Sequence, residues 1–204
     1  MDLAAILEQA DKDITLAINM GGSSLSDPLW QAFSSRNLWI PLYLAVIVFF
    51  IWRFGWKKAL VFILACILTV ALCDQLGNLC KEQFQRLRPC WDEWMTSHGL
   101  RLAEGKGNLY GFYSAHAANS MGFALCSALC IRHIISCKSR FYTYLIILWA
   151  LLVGISRIFV GKHFLGDVLV GFFVGALIGS LMAFAAVKVS DRIKPQASGS
   201  SLGA

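Results

Sequence analysis

Five stretches of the chain, at residues 37–53, 58–77, 117–136, 141–160 and 164–187, are apolar over nearly the length needed to cross a lipid bilayer. A hydrocarbon core about 30 Å thick takes roughly 20 residues of helix, and inside it every backbone N–H must be satisfied within the protein. A helical bundle meets both conditions. Composition points the same way: of 204 residues, 57% are hydrophobic and only 15% charged, with a mean hydropathy of +0.62. A soluble domain of this size does not tolerate so apolar a surface. The expected fold is therefore all-α, a polytopic membrane helical bundle of about five transmembrane helices at residues 37–187.

The flanks read differently. Leu3, Ile6, Leu7, Ala10, Ile14, Ala17 and Ile18 share one helical face, with Asp2, Glu8, Asp11, Lys12 and Asp13 elsewhere. That pattern predicts an N-terminal amphipathic helix lying at the interface, which with its connection fills residues 1–36. It lacks the basic start and small-residue cleavage site of a signal peptide, so it is expected to persist. Residues 188–204, ending in the Ser/Gly-rich run Gln196 to Ala204, are expected to form a disordered tail.

Charge orients the bundle. One side and its span edges carry Arg53, Lys57, Lys58, Arg132, Lys138, Arg140, Lys188, Arg192 and Lys194 against a single acid, Asp191. Lys and Arg in short loops mark the cytoplasmic side, so the C-terminus is expected to be cytoplasmic. The seven cysteines show no metal-binding spacing, and Cys66, Cys73, Cys126 and Cys130 fall within spans. Cys80 and Cys90 lie on the outer side, where oxidation could join them.

Three polar runs interrupt the apolar pattern, and all fall on the expected outer face: Lys81 to Pro89, Tyr113 to His116 and Ser156 to Asp167. Lys81 and Arg88 lie about two helical turns apart, and Arg157 adds a planar fork suited to phosphate oxygens. Each cation alone also fits a snorkelling anchor at a span edge. Gathered with two histidines on one side, they read as a phosphate grip. His163 precedes Asp167 by one helical turn, so the carboxylate is placed to fix the imidazole tautomer and leave the other nitrogen free. Asp167 in an apolar run needs a partner, and His163 and Arg157 are the nearest candidates. Ser114 opens a span and fits either an N-cap or an anion site, while His116 is placed to act as a general acid. His98 and His133 are read as bystanders.

This order of motifs, Lys-x6-Arg-Pro, a short Ser-x-His run, then Ser-Arg-x5-His-x3-Asp, resembles the type 2 phosphatidic acid phosphatase superfamily over roughly residues 37–187. That superfamily includes membrane lipid phosphatases, soluble acid phosphatases and vanadium haloperoxidases. The first motif matches as Lys81, Arg88 and Pro89, and the third as Ser156, Arg157, His163 and Asp167. The resemblance implies a metal-free reaction without cofactors, in which His163 attacks phosphorus to form a phosphohistidine and Asp167 orients it. His116 would protonate the leaving lipid oxygen and then activate water, while Lys81, Arg88, Ser114, Ala115 and Arg157 hold phosphate oxygens.

The second motif departs from the usual Pro-Ser-Gly-His, reading Tyr113, Ser114, Ala115 and His116. Tyr113 is placed to contact a headgroup or shape access. Membrane members often have six spans against the five counted here.

The expected partner is a phosphorylated lipid of the bilayer, with no nucleic acid involved. Undecaprenyl pyrophosphate and phosphatidylglycerophosphate are favoured, while phosphatidic acid and lipid A phosphates also fit. The alternatives are a lipid phosphotransferase and a non-catalytic lipid-phosphate binding protein.

Overall fold

The structure is a computed structural model that describes residues 2–135 and 140–193. Its helices are α1 (Leu3–Met20), α2 (Asp27–Ser34), α3 (Ile40–Phe84), α4 (Glu93–Ser97), α5 (Ala115–Ile135), α6 (Arg140–Phe159) and α7 (Leu165–Asp191), with 3-10 turns at Asn37–Trp39 and Pro89–Trp91. The protein is an all-α membrane bundle. The last helix runs through Asp191, four residues past the expected span end, and the Ser/Gly-rich tail lies outside the described residues.

The first two expected segments are the two limbs of α3. At Gly55 the backbone takes φ 72° and ψ 158°, a region open almost only to glycine. In a straight helix Phe50 and Phe62 would sit ~18 Å apart at the usual rise per residue. Their ring centroids are instead 5.7 Å apart, because the chain doubles back there. Among the described residues, three helical stretches, Asn37–Phe84, Arg140–Phe159 and Leu165–Asp191, are long and apolar enough to cross a membrane. Helix α5 is more polar because it is central, touching α3, α6 and α7. Its Ala117, Ala118, Ala124, Cys126, Ser127 and Cys130 are fully buried, and it needs little lipid-facing apolar surface.

Small residues let α7 reach α5. A Cβ on Gly175 would fall 2.2 Å from the Ala118 carbonyl oxygen, and one on Gly179 2.3 Å from that of Gly122. Without a hydrophobic drive between helices in lipid, such backbone approach is a main source of association.

Beyond one end of the bundle, residues 85–114 fold into a compact cover. Arg88 N donates to Leu109 O at 3.0 Å and Gly111 N to Arg86 O at 2.9 Å. Helix α1 forms where its periodicity places it, but the face it buries is polar. Asn19 donates to the carbonyls of Ile158 and Arg101 and accepts from Arg101 N, while Leu3, Ile6 and Leu7 remain exposed. The end of α6 leaves carbonyls without helical partners, and α1 satisfies them. Cys80 and Cys90 are both free thiols, and Cys90 Sγ donates to Lys106 O at 3.3 Å instead of forming a bridge.

Candidate active site

The site is built on the turn between α6 and α7. Gly161, at φ 77°, ends α6, and a Cβ there would meet the Arg101 carbonyl oxygen at 2.7 Å. The amides of Lys162 and His163 both donate to Arg157 O, at 2.9 and 3.2 Å, winding the turn tight. It presents His163 at the mouth of α7 with Asp167 on the helix's first turn. Asp167 Oδ2 accepts from Phe164 N at 3.2 Å and faces His163 Nδ1 at 3.4 Å. His163 is 2% exposed and Asp167 not at all.

Arg88 supplies the neighbouring cation. Its Nε donates to Tyr110 O at 3.1 Å, which aims Nη1 to 3.4 Å from His163 Nε2. Gly111 backs this trio, since a Cβ there would lie 2.9 Å from Arg88 Cγ, 3.4 Å from Asp167 Oδ2 and 3.5 Å from His163 Nδ1. Burial, against the opposing pull of the Asp167 hydrogen bond and charge and with the help of Arg88 and Arg157, pushes the His163 pKa down to about 4. The imidazole is therefore neutral near pH 7, with Nδ1 toward a carboxylate and Nε2 toward a guanidinium. That is the state a nitrogen nucleophile requires.

The partner expected for Asp167 is corrected in part. His163 is one partner, but Arg157 is not among the others. Asp167 Oδ1 is bound by Arg86 Nη1 at 2.7 Å, and Arg86 Nη2 reaches Asp11 Oδ2 of α1, also at 2.7 Å. Neither Arg86 nor Asp11 was identified from sequence. Arg86 is two residues before the motif arginine, and the Asp11 carboxylate reads as one more acid on the polar face of α1. Arg157 is almost wholly buried on the other side, where its Nη1 donates to Ser34 Oγ and lies 3.7 Å from Glu104 Oε2. Glu104 in turn accepts from Ser34 Oγ at 2.5 Å.

The other expected residues gather at the same end of the bundle. Lys81 sits on the last turn of α3, half-buried, with Nζ 3.5 Å from Asn78 Oδ1. Ser114 is fully buried. Its amide donates to Asp167 O at 3.0 Å, and its Oγ accepts from Ala117 N at a long 3.5 Å. It therefore stitches α5 to the turn that carries Asp167, and Ala115 follows as the first residue of α5.

Tyr113 takes neither role expected of it. It is buried, and its hydroxyl donates to Cys73 O at 2.8 Å, tying α3 to the start of α5. His116 faces a cavity of about 390 Å³ between α3, α5 and α6. Arg36, Asp74 and Asn119 line the same end as His116, and Val46, Phe50 and Cys66 line the apolar interior. His98 stacks on Trp94, and His133 pairs with Asp191 at 3.0 Å near the far ends of α5 and α7. Among the described residues, no group of three His, Cys, Asp or Glu side chains could hold a metal.

The chain is similar to known proteins over most of its length. The family model described as the PAP2 superfamily matches residues 58–190. The chain is 30% identical over 190 residues to a protein of Bacteroides thetaiotaomicron named Lipid A 4'-phosphatase, covering 92% of this chain and 82% of that one. A Porphyromonas gingivalis protein of the same name is 29% identical, over 84% of this chain and 70% of its own length. Among solved structures, the first transmembrane PAP2-type phosphatidylglycerolphosphate phosphatase from Bacillus subtilis superposes with a TM-score of 0.70 at 21% identity, covering 93% of this chain and 89% of its own. That of Aquifex aeolicus LpxE gives 0.56 at 24%, covering 86% and 93%. At these identities the structural likeness speaks for the fold.

Proposed function

The chain belongs to the PAP2 superfamily, and we propose that as a membrane lipid phosphatase it works through His163, with a phosphorylated glycolipid of the lipid A kind as substrate. The observation that carries the reading is the line Arg88, His163, Asp167: a buried neutral imidazole with Nε2 beside a guanidinium and Nδ1 facing a carboxylate. In the first step Nε2 forms a bond to phosphorus, the bond from phosphorus to the lipid oxygen breaks, and His116, which burial and Arg157 hold low in pKa until the phosphate's negative charge lies against it, gives that oxygen a proton. In the second, His116 takes a proton from water, whose oxygen bonds phosphorus as the P–N bond breaks and inorganic phosphate leaves. Arg88, Arg157 and Lys81 neutralise charge on the phosphoryl oxygens, the main demand of such a transition state.

The cavity beside His116 supports a lipid leaving group, because its interior is apolar and begins where the leaving oxygen would be protonated. Lipid A is put first on the names of the two relatives. Undecaprenyl pyrophosphate and phosphatidylglycerophosphate come second. The site is assigned to the extracytoplasmic face, since Arg53, Lys57, Lys58 and Arg192 lie at the other end of the helices.

The test is phosphate release by detergent-purified protein from a panel of these lipids, with EDTA present. Release is expected to survive the chelator, to vanish in His163→Ala and to persist in His133→Ala. Equal loss in both variants would undo the His163 assignment. A magnesium requirement would undo the metal-free mechanism. Labelled product on an added alcohol instead of free phosphate would make the protein a phosphotransferase, and vanadate binding without turnover on any lipid would make it a binding protein.

A further inference from the structure

The carboxylate that serves His163 is shared, and the shorter contact belongs to Arg86. Asp167 Oδ1 meets Arg86 Nη1 at 2.7 Å, while Oδ2 stands 3.4 Å from His163 Nδ1. Arg86 does not float on the surface. Its other nitrogen is bound by Asp11 at 2.7 Å, and its guanidinium carbon lies 4.3 Å from the centre of the Phe164 ring, on the residue between the nucleophile and α7. Asp11 is itself fixed to the same turn, with Oδ1 accepting from Gly166 N at 2.9 Å. One turn along α1, Thr15 Oγ1 accepts from Leu165 N at 2.9 Å. The first two amides of α7, which have no helical acceptor, are thus capped by a helix some 150 residues away in sequence.

We propose that Arg86, anchored by Asp11 of α1, is a positioning residue for His163: it holds the Asp167 carboxylate with Oδ2 toward Nδ1 and draws off part of its charge. This rests on the phosphatase reading above. A carboxylate free to rotate would give its full charge to His163 and favour the protonated ring, which cannot attack phosphorus. Held by Arg86, it orients the imidazole in the resting enzyme and closes on Nδ1 when phosphorylation of Nε2 makes the ring cationic, as catalytic hydrogen bonds commonly tighten along a reaction. The groups bearing on His163 are Arg86 and Arg88 from the segment after α3, Asp11 from α1, His116 from α5, Arg157 from α6 and Asp167 from α7. Of these only Arg86 touches Asp167 without touching His163. Helix α1 is on this view part of the catalytic apparatus.

The test uses the full chain in detergent, with Arg86→Gln, Arg86→Lys and Asp11→Asn. Arg86→Gln is expected to lower kcat about 10- to 100-fold with KM within about threefold, the size of loss seen when the hydrogen-bond partner behind a metal-ligating histidine is removed. In ¹⁵N-histidine spectra its His163 titration should move to higher pH. Lysine should restore part of kcat, and Asp11→Asn should show both effects more weakly. A wild-type kcat with an unmoved His163 titration in Arg86→Gln overturns the proposal, and so does a loss of kcat that lysine does not relieve while the titration stays in place. If Arg86→Gln fails to fold, Arg86→Lys and Asp11→Asn carry the same readouts, and Asp11→Asn without either change overturns it. Wild-type protein that hydrolyses none of the lipids fails the phosphatase reading instead, and the titration shift alone then decides the role of Arg86.

Discussion

His163 is a buried imidazole at the mouth of α7. It is a base kept neutral by burial, and that has a cost as pH falls. Its folded pKa of about 4 lies below the ordinary 6.5, so the unfolded chain takes up a proton first and stability is lost between those two values. The full effect is about 3 kcal/mol, from 1.36 kcal/mol per pKa unit. The melting midpoint in detergent should therefore drop as pH falls from 6.5 toward 4, and drop less in His163→Asn; parallel curves would mean the ring is not held neutral. Gly111 is the complementary case. A methyl there presses on Arg88 Cγ at 2.9 Å and crowds the His–Asp pair, so Gly111→Ala should lower kcat on the order of 10-fold or more, since small displacements of reacting groups are costly. Unchanged turnover would show that Arg88 can yield. That the histidine, the aspartate and the motif arginine come together could be expected from the sequence, because their spacing forms a pattern. Arg86 and Asp11 could not, because a charged residue two positions from a motif and another on an amphipathic helix have many ordinary explanations, and only proximity in space separates them.

At the scale of elements, the joint between α5 and α7 decides whether the site exists. Helix α7 brings Asp167 and α5 brings His116, and Ser114 N holds Asp167 O at 3.0 Å across the joint. Gly171, Gly175 and Gly179 form the contact stripe, and at Gly175 a Cβ would enter the Ala118 carbonyl at 2.2 Å. Gly175→Ala should therefore cost about 2 kcal/mol or more, the range of overpacked helix contacts, and reduce activity together with the melting midpoint. A variant that melts as wild type would show that the helices can part without harm. The four-residue glycine spacing was visible in the sequence but undirected, because it says that something approaches closely without saying what. Periodicity was a good guide to the existence of α1 and silent on which polar residues dock it to the bundle. Its apolar stripe was read as facing the membrane interface, and all of it but Ile18 is exposed in the bundle, while Thr15 and Asn19 are buried. In a membrane protein the apolar face has lipid available to it, and the polar face is the one that needs partners.

The whole molecule is a bundle with a polar cover over one end and basic residues around the other. If the cover is extracytoplasmic, an impermeant maleimide should label Asn108→Cys in intact cells and Lys57→Cys only after permeabilisation, both positions being exposed at opposite ends; the reverse pattern would invert the assignment. Hydrophobic run lengths alone determined that this chain is an α-helical membrane protein, because lipid accepts almost no other backbone. The spaced motifs alone determined its superfamily and a reaction at phosphorus, because few arrangements of cations, histidines and a carboxylate suit that chemistry. Only the tertiary structure decided who holds Asp167, which face of α1 is buried, that Tyr113 is a strut between helices, and that His116 opens onto an apolar cavity. These depend on contacts between segments far apart in the chain, where hydropathy and spacing carry no information about distance.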